Sequence, residues 1–284
     1  MPEIGGLAIR LAAFLGIFAI MAVAELLIPK RELTMRRGQR WPTNFAIVVI
    51  DSVVVRAMAA FVVPIAAVAA AVVAERMGWG LFNLVGLPGW LEVLAAVVVL
   101  DFAIWLQHLA AHKIPLLWRM HRMHHADRDI DVTTALRFHP LEIALSMLWK
   151  IGCVLALGAS PEAVLVFEIV LNGLAMFNHA NVALPRVLDR WLRLVIVTPD
   201  VHRVHHSVVR REHDSNYGFN LSIWDRLFRT YTAEPEGGHI AMRIGLVEYQ
   251  TDEPARLGWN LLLPFRRSPH TDRSAASKFG QSGH

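Results

Sequence analysis

The sequence predicts an all-α integral membrane protein, with about four or five transmembrane or hairpin helices capped by a helical, histidine-rich domain on the cytoplasmic side. Three observations carry this expectation. Of the 284 residues, 55% are hydrophobic and the mean hydropathy is +0.40, too apolar for an ordinary soluble domain. The apolar residues collect into runs long enough to cross a bilayer at about 1.5 Å per helical residue. Eight of the 14 histidines fall into three short segments: His108 and His112, then His121, His124 and His125, then His202, His205 and His206.

Residues 7–28 form the first span. Glu3 precedes it, only Arg10 lies near its start and no small-residue cleavage site follows, so it reads as a retained helix and not a signal peptide. Lys30, Arg31, Arg36, Arg37 and Arg40 come next, opposed by Glu32 alone. The positive-inside rule makes this loop cytoplasmic and in contact with headgroups, with the N-terminus outside. Residues 45–74 form a second span, with Asp51 and Arg56 near its cytoplasmic end and a kink at Pro64. The glycine-rich stretch 78–89, with Trp79 and Pro88, is a short outer connection.

Residues 90–109 return to the cytoplasmic side, carrying Asp101, Trp105, Gln107 and His108 in the last turns. Pro115 ends that helix, and a new one from about Leu116 carries the next three histidines. Residues 126–134, with Asp127, Asp129 and Asp131, read as a loop at the membrane surface. Segments 141–158 and 161–177 form a helical hairpin on which Glu142 and Lys150 share one inward face. The hairpin returns Asn178, His179 and Asn181 to the level of the first histidines. Residues 188–197 read as an amphipathic interfacial segment, and the chain from Ser268 onward as disordered. The expected division is 1–89 for the N-terminal membrane helices and basic loop, 90–231 for a catalytic domain and 232–284 for a cytoplasmic tail. With five spans and the N-terminus outside, every histidine group reaches the cytoplasmic face of what reads as a bacterial inner membrane.

The formal charge of +4 is modest, and no basic stripe interleaved with aromatics suggests nucleic acid. One cysteine, Cys153, excludes an internal disulfide and a cysteine-held zinc or iron–sulfur site.

The histidine spacings are i, i+4 and i, i+3, i+4, which place imidazoles on one helix face within reach of a shared ion. A closed zinc site takes four ligands and a catalytic one takes three plus water, whereas octahedral iron takes up to six with positions left open. Eight or nine imidazoles exceed any single ion, so two ions are implied. Ligating histidines donate their second N–H to a carboxylate or carbonyl. The candidates for that role are Asp101, Asp127, Asp200, Asp214 and Asp225, with Asn216 beside them. Trp105, Trp118, Phe138, Phe177 and Trp224 lie near the cluster in sequence and are candidates to line a substrate cavity; packing in the core is the competing reading.

The HxxxH, HxxHH and HxxHH groups resemble the fatty acid hydroxylase/sterol desaturase superfamily. Around them, Arg137-Phe138-His139-Pro140-Leu141-Glu142, Asn178-His179-Ala180-Asn181, Thr198-Pro199, Asn216-Tyr217-Gly218 and Trp224-Asp225-Arg226-Leu227-Phe228 resemble its recurring words. The resemblance covers roughly residues 90–231. It implies a membrane di-iron oxygenase that hydroxylates or desaturates a lipid with O2 as co-substrate. In this reading, the ligands of the two iron ions are His108, His112, His121, His124, His125, His179, His202, His205 and His206. His139 is a further candidate ligand or else a helix-start contact. His108 is followed by Leu109 where the family's first box often has arginine.

No dinucleotide fingerprint or iron–sulfur motif is present, so electrons are expected from an external ferredoxin or a cytochrome with its reductase. Zinc can replace iron in purified protein. The rival readings are a zinc-dependent membrane hydrolase and a metal-binding transporter.

Overall fold

The computed structural model describes residues 2–61 and 66–266. The long helices are α1 (Pro2–Leu27), α2 (Arg37–Phe61), α3 (Ala67–Met77), the short α4 (Leu81–Val85), α5 (Gly89–Lys113), α6 (Pro115–His125), α7 (Pro140–Leu157) and α8 (Pro161–His179). Shorter ones follow: α9 (Arg186–Leu192), α10 (Pro199–His205), α11 (Arg210–His213), α12 (Ile223–Leu227), α13 (Gly238–Ala241) and α14 (Leu257–Leu262). Among the described residues there is no strand, only three isolated bridges. Local chemistry sets the boundaries. Proline opens α6, α7, α8 and α10, where its missing N–H costs nothing. Ser160 Oγ accepts from Ala163 N at the start of α8, and left-handed Gly158 closes α7.

Among the described residues, six helical stretches are long and apolar enough to span a membrane: Gly6–Leu27, Arg37–Ala60, Ala67–Val85, Gly89–Lys113, Pro140–Leu157 and Pro161–His179. The sequence suggested five. The difference lies in residues 45–74, which fall into α2 and α3. Pro64, where the kink was expected, lies outside the described residues, as does the chain from Ser268.

The helices pack around α8 and α7, with α1 and α5 against α8 and with α2 and α3 against α7. Small side chains on α3 (Ala67, Ala70, Ala71) let it approach Val154 of α7 and Phe167 of α8. At the end of the bundle remote from the histidines, the outer connection sits against the hairpin tip. A Cβ on Gly80 would lie 2.1 Å from Gly158 N, and both glycines have positive φ, so neither position tolerates a side chain. Glu142 and Lys150 do point inward, but to different partners. Glu168 holds both Lys150 and Arg10 at 2.7 Å, and Glu142 turns to a histidine.

At the other end, the C-termini of α1, α5 and α8 meet the N-termini of α2 and α7. Here two expectations are corrected. Residues 126–134 are not a surface loop: Asp127, Asp129, Ile130, Asp131, Val132, Thr133 and Thr134 are all buried. Buried Arg40 is not a headgroup contact. It forks onto Asp127 (2.7 and 2.8 Å) and Asp131 (2.6 Å), while Lys30 binds Asp200 at 2.5 Å. Glu25 of α1 completes the seam by accepting from Val132 N and Asn181 N at 2.6 and 2.8 Å. Carboxylate and guanidinium groups that a soluble protein would leave in water are here the joints between helix ends. Residues 232–266 are part of the same structure. Trp259 and Leu263 pack against Met123 and Ile47, and Asn260 accepts from Arg137.

Candidate metal centre

The nine histidines of the two-ion reading converge. His108 and His112 come from the last turns of α5, His121, His124 and His125 from α6, His179 from the last residue of α8, and His202, His205 and His206 from α10 and its cap. All nine are buried, with His112 the most exposed at 7%. They form two groups: His108, His112, His121, His125 and His205 in one, and His124, His179, His202 and His206 in the other. Within each group, one ligand atom per residue lies within 4.8 Å of all the others.

The tautomers follow from the acceptors around the rim. Nδ1 of His108 faces Tyr217 O at 2.7 Å, that of His205 faces Ser215 O at 2.6 Å, and that of His121 faces Glu142 Oε1 at 2.6 Å. In the second group, Nδ1 of His179 faces Ala175 O at 2.7 Å and that of His124 faces Arg137 O at 3.2 Å. Those protons sit on Nδ1, so the Nε2 atoms carry bare lone pairs. Yet Nε2 of His108 lies 3.1 Å from Nε2 of His121 and 3.0 Å from that of His205, and Nε2 of His179 lies 3.2 Å from that of His124. Facing lone pairs at that distance repel unless a cation lies between them. Two nitrogens at right angles around one ion, each about 2.1 Å from it, would stand about 3 Å apart. Both nitrogens of His112 and of His206 are also buried without a hydrogen-bond partner. The residues therefore fit two cations.

Electrostatics favour the same state. Burial, and after it the neighbouring imidazoles, push His124, His125, His202, His205 and His206 well below the ordinary histidine range, so they are neutral at pH 7 and able to ligate. Burial alone would raise Asp127, but Arg40 and Arg137 outweigh it and keep that carboxyl ionised.

The carboxylates expected to orient the imidazoles do other work. Asp101 accepts from Trp224 Nε1 (2.8 Å) and Leu221 N; Asp200 holds Lys30 and Arg203; Asp127 holds Arg40. Asp225 accepts from Tyr217 N, Gly218 N and Trp105 Nε1, and so fixes the turn whose carbonyl meets His108. Asn216 Nδ2 donates to Val201 O and Thr232 O. Asp214 stands 3.8 Å from His112 Nδ1, beyond hydrogen-bond range. Backbone carbonyls fill the role instead, and sequence patterns carry no sign of them. Among the described residues, Glu142 is the carboxylate that meets a ring nitrogen of the nine within hydrogen-bond distance. It was visible only as an inward-facing residue.

His139 is not in either group. It caps α7, accepting from Leu141 N at 3.2 Å, while its Nε2 meets Leu261 O. None of the five aromatic residues lines the groove between α5, α6 and α7. Trp105 stacks on Phe228 (4.6 Å), Trp224 packs on Phe102, Phe138 stacks on His124 (4.4 Å) and Trp118 stacks on His213. Phe177 lies in the last turn of α8, two residues before His179. The cavity next to the cluster is an apolar groove of about 280 Å³ between α5, α6 and α7. Leu106, Ala110, Leu117, Met120, Leu145 and Trp149 line it, and Glu142 forms its polar end. Arg137, fully buried, ties α2, α6 and the C-terminal region together through Asn44, Met123 O and Pro254 O.

A profile of the fatty acid hydroxylase family matches residues 93–230. An ornithine lipid hydroxylase of Rhizobium tropici is 32% identical over 148 residues, 52% of this chain and 44% of that protein. Human alkylglycerol monooxygenase is 35% identical over 156 residues, 55% of this chain and 34% of that protein. A fatty acid hydroxylase of a Lecanicillium species is 30% identical over 166 residues, 50% of this chain and 42% of that protein. The chain thus spans less than half the length of these relatives. No solved structure matches it significantly. The chain is an integral membrane protein, and the stretch that matches the fatty acid hydroxylase family, residues 93–230, carries all nine clustered imidazoles.

Proposed function

We propose that the protein is a di-iron oxygenase that hydroxylates a C–H bond of a membrane lipid: one oxygen atom of O2 enters the product, and the other leaves as water with two electrons and two protons from outside. The observation that carries this is the set of Nε2 lone pairs facing one another at 3.0–3.2 Å in two adjoining all-histidine groups. When bound, the two irons supply O2 activation and C–H oxidation. The chain's own work is positioning. Carbonyls of Tyr217, Ser215, Arg137 and Ala175 and the Glu142 carboxylate keep each proton on Nδ1 and aim Nε2 inward. Burial of all nine rings excludes water.

The groove supplies the substrate path. Gln107, Ala111 and Met120 line it, each one residue before a histidine of the five-membered group, and Glu142 joins it to His121. An alkyl chain entering from the bilayer between α5 and α7 would bring its reactive carbon beside that group. Filling the groove with Leu145→Trp is expected to lower hydroxylation about a hundredfold by displacing the chain, with metal content unchanged. Retained turnover in this variant would place the substrate elsewhere.

The basic loop around Lys30–Arg40 lies at the histidine end, whereas residues 78–88 and 158–160 at the opposite end contain no lysine or arginine. That asymmetry supports a cytoplasmic metal centre in a bacterial inner membrane, served by a ferredoxin or cytochrome donor. A transporter would string histidines along a path, and these gather at one end. A zinc hydrolase would need a free general base, whereas Glu142 is engaged with His121.

The test is lipid profiling of cells with and without the protein. A lipid species heavier by one oxygen is expected with it. An unchanged profile despite a metal-loaded protein and a competent electron donor would refute the reading.

A further inference from the structure

A third histidine set lies outside the nine. His213 and Asp214, at the end of α11, bring their ligand atoms within 4.8 Å of one another and of His112, a member of the five-histidine group. The His213 ring lies 5.9 Å from both His112 and His125 and is stacked on Trp118 at 5.5 Å and 10°. Its Nδ1 is buried without a hydrogen-bond partner, as are both nitrogens of His112. His112 Nδ1 faces Asp214 Oδ1 at 3.8 Å.

Exposure differs across this set. The His112 side chain is fully buried and the Asp214 side chain is 21% exposed, and His213 is buried. Asp214 is also the carboxylate of the set, and it is held by Lys113 at 3.2 Å and by Arg210 at 3.7 Å. A divalent cation reaching the buried groups must shed its water stepwise, and a carboxylate followed by two imidazoles offers replacement ligands in that order.

We propose that Asp214, His213 and His112 form a metal-loading site, a transient station where a divalent transition-metal ion is captured at the surface and handed through His112 to the five-histidine group. The proposal rests on the reading of the nine imidazoles as a metal centre. His112 is the hinge of the transfer because it belongs to both sets. Lys113 and Arg210 occupy the carboxylate between captures and leave it when the ion arrives, so their effect is to slow loading.

The experiment uses the full chain in detergent micelles, stripped with a chelator and reloaded with Co2+. Visible absorption follows uptake, and mass spectrometry of total metal gives the end point. His213→Phe, which keeps an aromatic ring on Trp118 but removes a ligand, and Asp214→Asn, which removes the charge that guides capture, are each expected to reach the wild-type metal content about tenfold more slowly. Lys113→Met, which frees the carboxylate, is expected to load faster than wild type. Loading of His213→Phe and Asp214→Asn at the wild-type rate would overturn the proposal. So would a lowered final content, which would make them permanent ligands, or a Lys113→Met variant no faster than wild type. If the wild-type protein itself takes up no Co2+, the metal-centre reading fails and this one with it.

Discussion

Substitution of His124 by alanine is expected to strip iron from the four-histidine group and to abolish lipid hydroxylation, while the five-histidine group keeps its ion. The four-membered group has the fewer ligands, and His124 Nε2 lies 3.2 Å from His179 Nε2 within it. Three imidazoles would remain, a set that still binds zinc but holds ferrous iron weakly. The ring also stacks on Phe138 at 4.4 Å, so alanine leaves a hole that water can fill. A milder change checks the logic. Glu142→Gln keeps every ligand but weakens the hold on the His121 tautomer, and should cost roughly ten- to a hundredfold in metal affinity. Metal per chain, measured by mass spectrometry on protein purified from iron-supplemented cells, reads both. His124→Ala with wild-type metal content would mean that the imidazoles are packed together for some other reason.

Arg40→Met is expected to be the most destabilising single change away from the histidines, by about 3–5 kcal/mol. The guanidinium is 1% exposed and answers two buried carboxylates, Asp127 and Asp131. Methionine fills the volume and leaves both anions without a counter-charge. The damage then comes from stranded charge, not from a lost contact, so neutralising the anions should repair it. Arg40→Met combined with Asp127→Asn and Asp131→Asn should recover a large part of the loss. Unfolding followed in detergent decides the matter. A single variant within about 1 kcal/mol of wild type would show that water reaches this seam.

The clustering of the histidines was legible in the sequence because helical spacing is a one-dimensional pattern. The HxxxH of α5 and HxxHH of α6 place their rings on shared faces whatever the rest of the chain does. The hairpin was legible too, since Gly158 and Pro161 bracket a turn between two apolar runs. What escaped was whatever depends on partners distant in sequence. The charge-rich loop 126–134 looked like a surface feature, because nothing near it shows that Arg40, some ninety residues earlier, buries it. Aspartates near the histidines looked like their partners, yet carbonyl groups, which every residue has, took that place. Trp105 and Trp224 pack on Phe228 and Phe102, whereas Trp118 and Phe138 do lie against the imidazoles, and His139 makes the helix-start contact that was the alternative to ligation. The split of 45–74 into α2 and α3 escaped because hydropathy is blind to a break between two equally apolar helices.

The grouping of the imidazoles bears on when the protein can mature. The five-membered set includes His205, and the four-membered set has only His124 from the first half of the polypeptide. While the ribosome is still short of residue 179, the nascent chain offers four members of one set and a single member of the other. Neither cage can close until the last third has been made and folded back against α5 and α6. Any metal loading of the complete sets therefore waits for the segment up to His206, and a product terminated before it would carry a cluster of unsatisfied histidines able to scavenge the wrong ion.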